Sequence, residues 1–138
     1  MNPALRGSIA VLLLRLITGV AFVVHGWPKI QNPLHWMDAF PGHPPSFVQV
    51  LPAIAEFGGG LGLILGLLTP LCCAGIICTM LVATYTHVAQ GHPFVGQTGS
   101  YELALVYLTI AMSLILTGPG RYSLDNRLMG LRRNPNDY

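Results

Sequence analysis

Apolar residues run along this chain in blocks too long for the alternating faces of a water-soluble fold. Between Glu56 and Glu102 no Asp, Glu, Lys or Arg occurs. A bilayer crossing needs only about 20 such residues, so this stretch predicts two spans. The uncharged run 103–120 predicts another, and 8–26 is a fourth, interrupted only by Arg15. The predicted spans are 8–26, 50–68, 70–87 and 100–117, with short connections that include a tight Leu68-Thr69-Pro70 turn. Gly118-Pro119-Gly120 stops the last span, because glycine and proline each prevent a helix from continuing. Beyond it Ser123 is placed as an N-cap. Leu124, Leu128 and Leu131 then repeat at helical spacing with Arg127 and Arg132 towards the other side, which predicts a short amphipathic helix on the membrane surface. Residues 134–138 have no periodicity and are expected to fray. The fold class is all-α: an integral membrane four-helix bundle forming one domain over 1–138, with an amphipathic C-terminal segment.

Composition agrees. Of 138 residues, 52% are apolar and 9% charged, against roughly a quarter charged in soluble domains. Net charge is only +2, and its distribution says more than its sum. Arg6 precedes the first span, Arg121, Arg127, Arg132 and Arg133 follow the fourth, and the opposite connections hold Lys29 and Asp38. The positive-inside bias puts both termini in the cytoplasm, so the basic tail is a topology signal and not a nucleic-acid patch. Trp27 and Trp36 suit the outer interfacial belt. A cleavable leader is not expected, because Arg15 interrupts the first apolar run and His25-Gly26-Trp27-Pro28 is a poor cleavage site.

Cys72, Cys73 and Cys78 have no metal-site or redox spacing and are expected to be buried hydrophobes. His35 and His43 sit in the first outer loop at irregular spacing, and no metal site is expected there. Gly58, Gly62 and Gly66 recur every fourth residue, a small-residue pattern that lets another helix approach. Packing inside the bundle is the favoured use, and homo-oligomerisation the other.

Each ionisable group in hydrocarbon costs at least about 2.5–3.5 kcal/mol, so each calls for a partner or a function. On the first span Ser8, Arg15, Gly19, Phe22, Gly26 and Lys29 share a stripe; on the third, Cys73, Met80, Ala83 and His87; on the fourth, Glu102, Thr109 and Ser113. These stripes are expected to face the bundle interior. At about 1.5 Å per residue, Arg15 lies roughly 10 Å from the cytoplasmic edge and Glu56 roughly 18 Å. Glu102, His25 and His87 lie at roughly 22–25 Å, and Lys29 near 31 Å. Side chains lean towards their own helix N-terminus, which sends the carboxylates outward and the bases inward. His25, Lys29, Glu56, His87 and Glu102 are therefore expected to line one outer-side pocket. Arg15 leans the other way, forming the floor of that pocket or belonging to a separate inner network; a pair with Glu56 would need a favourable rotamer or a bridging water.

Such a site can hydrogen-bond a quinone carbonyl or take up its protons, with histidine titrating nearest neutrality. Haem ligation by His25 and His87 is the less favoured use. No nucleotide fingerprint, nucleophile elbow or H-E-x-x-H occurs.

Arg15, His25-Gly26-Trp27-Pro28-Lys29-Ile30, Glu56-Phe57-Gly58-Gly59-Gly60, Gly66-Leu67-Leu68-Thr69 and Gly118-Pro119-Gly120-Arg121-Tyr122-Ser123-Leu124-Asp125 occur in this order along nearly the whole chain. Together they resemble the DoxX family of small bacterial and archaeal membrane proteins. Pro70 departs from the basic residue that often follows the Gly-Leu-Leu-Thr turn in relatives. The resemblance implies a four-helix fold in the cell (inner) membrane. It also implies a loose link to oxidoreductase systems, including a quinone-linked thiosulfate oxidoreductase and complexes for oxidative-stress defence. The leading expectation is a membrane subunit or small oxidoreductase that handles a quinone or similar small redox molecule with a membrane or soluble redox partner. The alternative is a non-enzymatic anchor or assembly partner of a redox or stress-defence complex. A transporter is disfavoured, because four short spans make a small pathway.

Overall fold

The structure is a computed structural model that describes residues 3–39, 44–97 and 99–130. It contains five helices among these residues and no strand: α1 (Pro3–Gln31), α2 (Ser46–Leu65), α3 (Thr69–Ala89), α4 (Glu102–Thr117) and α5 (Leu124–Gly130). Each long helix packs on the next, and α4 returns to α1. The two long connections share one end of the bundle, here the loop end. The α2–α3 turn and α5 lie at the opposite, turn end.

Burial is inverted relative to a soluble protein. Ile17, Leu51 and Leu116 are exposed at 67%, 67% and 83%, while Arg15, Thr18, Gln49 and Glu56 are buried. Apolar side chains facing outward on all four long helices, with Arg15, Thr18, Gln49 and Glu56 held inside, is the arrangement a bilayer demands. The core proper is Phe22, Leu63, Cys73, Ile76, Met80, Ala104, Ala111 and Leu114. Cys73 is buried, Cys72 half-buried and Cys78 exposed, and all three are free thiols.

Helix bounds differ from the sequence expectation in informative ways. α1 continues through Pro28 to Gln31. Proline removes one backbone donor, a small loss in the last turn, where Gly26 packs on the Phe57 backbone and Lys29 is bound to Glu56. α2 begins earlier than expected, behind Pro45, and ends at Gly66, whose left-handed φ of 66° costs glycine no Cβ clash. α4 is the shortest of the long helices at 16 residues, roughly 24 Å against a hydrocarbon thickness of about 30 Å. Among the described residues three helices are long and apolar enough to cross on their own, and α4 is a shorter apolar helix beside them.

The expected three-glycine groove does not form on one face. Gly58 is open: a Cβ there would have Ile54 as its nearest neighbour, at 3.9 Å. Gly62 instead faces Cys72, and Gly66 faces Arg15 and Ser123. Gly66 has left the helix, so its direction no longer follows the stripe. The close approach is made by Gly19 and Gly60 instead. A Cβ on Gly19 would stand 2.8 Å from the Gly60 carbonyl oxygen, and one on Gly60 would stand 2.7 Å from that of Gly19. Hydrogen at these two positions, and at Gly26 against the Phe57 backbone, is what lets α1 and α2 touch backbone to backbone.

Ser123 caps α5 as expected, accepting from the Asn126 amide at 3.0 Å. Leu124 and Leu128 are exposed beside it. Leu131, Arg132, Arg133, His43 and the expected frayed segment 134–138 lie outside the described residues. His35 pairs with Asp38 at 2.7 Å, and no group of three metal-ligating side chains occurs among the described residues.

Candidate functional site

A cavity of about 240 Å³ lies between the four long helices towards the loop end. Phe22, Met80, Ala83, Leu103, Ala104 and Tyr107 make its apolar wall, and His25, Lys29, Glu56, His87 and Ser100 supply its polar atoms. Four of the five residues expected to share a pocket therefore do so. The inward stripes of α1 and α3 are the reason: Phe22 and Lys29 on one helix, and Met80, Ala83 and His87 on the other, recur on one side at helical spacing.

Lys29 Nζ lies 2.6 Å from both Glu56 oxygens, and Glu56 is only 4% exposed. A carboxylate so deep is tolerated because the ammonium neutralises it and both of its oxygens accept hydrogen bonds. The ammonium also lies 4.5 Å from the Trp36 ring centre, a cation–π contact. Trp36 is held in turn by its indole N–H, which donates to the Gln49 carbonyl at 2.9 Å. The fully buried Gln49 side chain accepts from the Met37 amide and donates to Asp38 Oδ1 and the Pro44 carbonyl. One glutamine thus folds the first loop onto α2.

His25 sits on the exposed rim, with Nδ1 2.8 Å from the Ala21 carbonyl. A carbonyl only accepts, so Nδ1 carries the proton, and in the neutral ring Nε2 is left as an acceptor. His87 Nδ1 lies 2.8 Å from Nδ1 of His92, so one of these rings donates and the other accepts. His92 belongs to none of the sequence motifs or stripes. The pair follows from how α3 ends. Gly91 takes a φ of 74°, its amide donates to the Val88 carbonyl, and the His92 amide donates to the His87 carbonyl. This is a Schellman motif, which ordinarily brings two hydrophobic side chains together across the helix end; here both are histidines. A histidine five residues before another, with glycine preceding the second, is the signal in the sequence that marks it.

Two expected site residues lie elsewhere. Glu102 is exposed and lines a separate shallow groove with Phe94, Leu105, Val106, Thr109 and Ile110. The polar stripe of α4 faces outward because its hydroxyls need no bundle partner. Thr109, Ser113 and Thr117 each donate to the carbonyl four residues earlier at 2.8 Å, a local bond that satisfies a hydroxyl even in lipid. The face that packs is Ala104, Ala111 and Leu114, where small residues allow close approach. Glu102 opens α4, where the helix dipole favours a carboxylate.

Arg15 is the other. Only 1% exposed, it belongs to the turn end. Its Nε donates to the Leu63 carbonyl at 3.0 Å, Nη2 to Ile64 at 3.3 Å, and Nη1 to Pro119 at 2.8 Å and Tyr122 at 3.0 Å. It therefore caps the C-terminus of α2, the negative end of that helix dipole, and ties it to the segment after α4. Asp125 closes the same junction. Its two oxygens accept from the Leu68 and Thr69 amides at the start of α3, and its own amide donates to the Gly66 carbonyl. The motifs around Gly66 and Gly118 are two halves of one clamp.

Similarity to known proteins follows the same residues. The DoxX family model matches residues 10–89, which hold Arg15, the Lys29–Glu56 pair, the glycine contact and His87. The chain belongs to the DoxX family. Among DoxX-related proteins, "Inner membrane protein YqjF" of Escherichia coli (strain K12) is 29% identical over 88% of this chain and 93% of its own length. "Putative oxidoreductase CatD" of Bacillus subtilis (strain 168) is 33% identical over 94% of each. "Uncharacterized membrane protein Rv3486" of Mycobacterium tuberculosis (strain ATCC 25618 / H37Rv) is 29% identical over 89% of this chain and 83% of its own length. No solved structure matches this DoxX chain.

Proposed function

We propose that this DoxX protein is the membrane subunit of an oxidoreductase system and that its loop-end cavity receives the head group of a quinone or a similar small ring. The observation that carries this reading is the combination of walls. Aromatic and aliphatic side chains, Phe22, Tyr107, Met80 and Leu103, line one cavity together with two imidazoles, His25 and His87. Apolar walls with a few placed polar groups are what a planar ligand with two carbonyls requires. At about 240 Å³ the cavity is smaller than sites for drug-sized ligands, roughly 300–1,000 Å³, which favours one ring over a porphyrin. The relative named an oxidoreductase adds weak support.

Histidine, lysine and glutamate move protons and not electrons, so the redox change belongs to the bound ring and to a partner protein. In this reading the loop end faces outward and both termini are cytoplasmic, following the flanking arginines. The test is purification of the full chain in nanodiscs, extraction with organic solvent and chromatographic assay for quinones. Quinone near one per chain, lost in His87→Phe, is the expected result; a quinone content equal to that of empty nanodiscs overturns it.

A second reading has its own observation. The charged groups inside the bundle are already satisfied, Lys29 with Glu56 and Arg15 with four carbonyls. That closure suits an anchor whose polar contacts set helix register. A Glu56→Gln variant that loses stability, in a chain whose quinone content never exceeds that of empty nanodiscs, favours it.

A further inference from the structure

His87 is both a wall of the cavity and one end of a hydrogen-bonded pair that leads away from it. The cavity is reached by His87, and the His87 Nδ1 is engaged by His92 at 2.8 Å. That leaves Nε2 as the polar atom His87 offers to a ligand. His92 lies in the second connection, between Gly91 and the exposed residues 93–97, and with Nδ1 engaged by His87 its Nε2 is the ring nitrogen left over. Two imidazoles joined nitrogen to nitrogen, one facing a cavity and the other in a surface loop, form a continuous chain of exchangeable protons.

We propose that His87 and His92 are a proton relay between the cavity and the loop-end surface, serving an acidic hydroxyl of a ring ligand. The proposal rests on the reading of the cavity as a ring-ligand site. In the outward direction an O–H bond of the ligand breaks and an Nε2–H bond forms on His87. The Nδ1 proton of His87 crosses to Nδ1 of His92, and His92 releases its Nε2 proton to water. Each ring gains one proton and loses one, and no electron moves. The inward direction is the reverse. Imidazole suits this role because its two nitrogens exchange roles near neutral pH.

Three features of the fold hold the pair. The Schellman bond from the His92 amide to the His87 carbonyl, at 3.0 Å, fixes the second backbone against the first. Gly99 leaves room for the ring: a Cβ there would stand 3.1 Å from His92 Cε1 and Nε2. The two rings sit with centroids 5.0 Å apart. The other titratable groups at the cavity are His25 and Lys29 of α1, Glu56 of α2 and Tyr107 of α4. His25 donates its Nδ1 proton to its own helix, and Lys29 and Glu56 are closed on each other. His87 is thus the member of the set with a hydrogen-bonded route out.

The test uses the full chain in nanodiscs and 2-hydroxy-1,4-naphthoquinone, an acidic ring that is anionic at neutral pH and absorbs visibly. Binding is followed by its absorbance, and proton uptake by a pH dye in weak buffer, both in a stopped-flow instrument. The decisive variant is His92→Gln, whose side chain can still accept the His87 hydrogen bond but cannot pass a proton on. Binding within about threefold of wild type, with proton uptake slowed at least tenfold and restored by added imidazole, is the expected result. Gly99→Ala, which displaces the His92 ring without removing it, is read the same way and stands in if His92→Gln lowers the melting temperature. Binding with undiminished proton uptake in the folded variants overturns the relay and leaves the cavity reading intact. No binding to wild type overturns the cavity reading and the relay with it.

Discussion

The Lys29 ammonium is shared equally by the two oxygens of Glu56, 2.6 Å from each, across the interface of α1 and α2. The carboxylate is almost fully buried while the ammonium keeps partial access to the loop end. Lysine can reach water by swinging outward, but glutamate at this depth cannot. The pair is therefore asymmetric, and the two partners respond differently to substitution.

Glu56→Gln is expected to lower stability by about 3 kcal/mol, since it leaves a half-buried ammonium without its anion. Lys29→Met alone is expected to cost at least as much, because the stranded carboxylate is the more buried group. The double variant Lys29→Met with Glu56→Leu is expected to recover most of the loss. Thermal midpoints from fluorescence-detected size-exclusion chromatography check all three; additive losses in the double variant would refute the coupling.

Arg15→Lys keeps the charge but not the reach. A single ammonium cannot span the Leu63 carbonyl on α2 and the Tyr122 carbonyl after α4. The expected loss is about 3 kcal/mol, the value of one or two hydrogen bonds to a charged group. Asp125→Ala, which uncaps the Leu68 and Thr69 amides, is expected to cost about 0.5–2 kcal/mol. Both changes act at the turn end, so quinone content per folded chain is expected to stay at the wild-type level.

Gly19→Ala and Gly60→Ala each push a methyl into a backbone carbonyl of the opposite helix. Overpacking of this kind costs about 1–3 kcal/mol. Gly58→Ala meets nothing closer than Ile54 at 3.9 Å and gains helix propensity of up to about 1 kcal/mol. Unfolding midpoints should fall for the first two and hold or rise for the third. An equal fall in all three would mean that the helices meet on another face.

For topology, Asn32→Cys and Gln97→Cys are introduced into a chain whose Cys72, Cys73 and Cys78 are replaced by alanine. Both are expected to react with a membrane-impermeant maleimide in intact cells, whereas Arg121→Cys reacts only after lysis. The opposite labelling pattern would invert the proposed orientation.

Much of this arrangement is legible in residue order. Helical angle alone gives the inward stripe of α1, from Arg15 through Gly19, Phe22 and Gly26 to Lys29. Side-chain lean correctly sends Arg15 away from Glu56 and Lys29 towards it. Lean carries sign as well as position, which is why it separates two cations on one stripe. Glu102 is misplaced by the rule that polarity marks an inward face. Thr109 and Ser113 satisfy themselves on their own helix, and alanines pack better. His92, Gln49 and Asp125 are invisible to periodicity for a different reason. Each acts from a connection or helix end, where geometry depends on a left-handed residue or a neighbouring loop.

The guanidinium at the turn end also sets an order of events during synthesis. Arg15 precedes Pro119 by 104 residues and Tyr122 by 107, so it is made long before half of its acceptors exist. The α2 carbonyls can engage Nε and Nη2 as soon as the first hairpin forms, but Nη1 must wait for nearly the whole chain. A ribosome that stops before residue 119 leaves a cation in hydrocarbon with an unmet donor, at a cost of several kcal/mol. A need for the segment after α4 is thereby written into the first helix: the nascent protein carries a defect that only the carbonyls of Pro119 and Tyr122 repair.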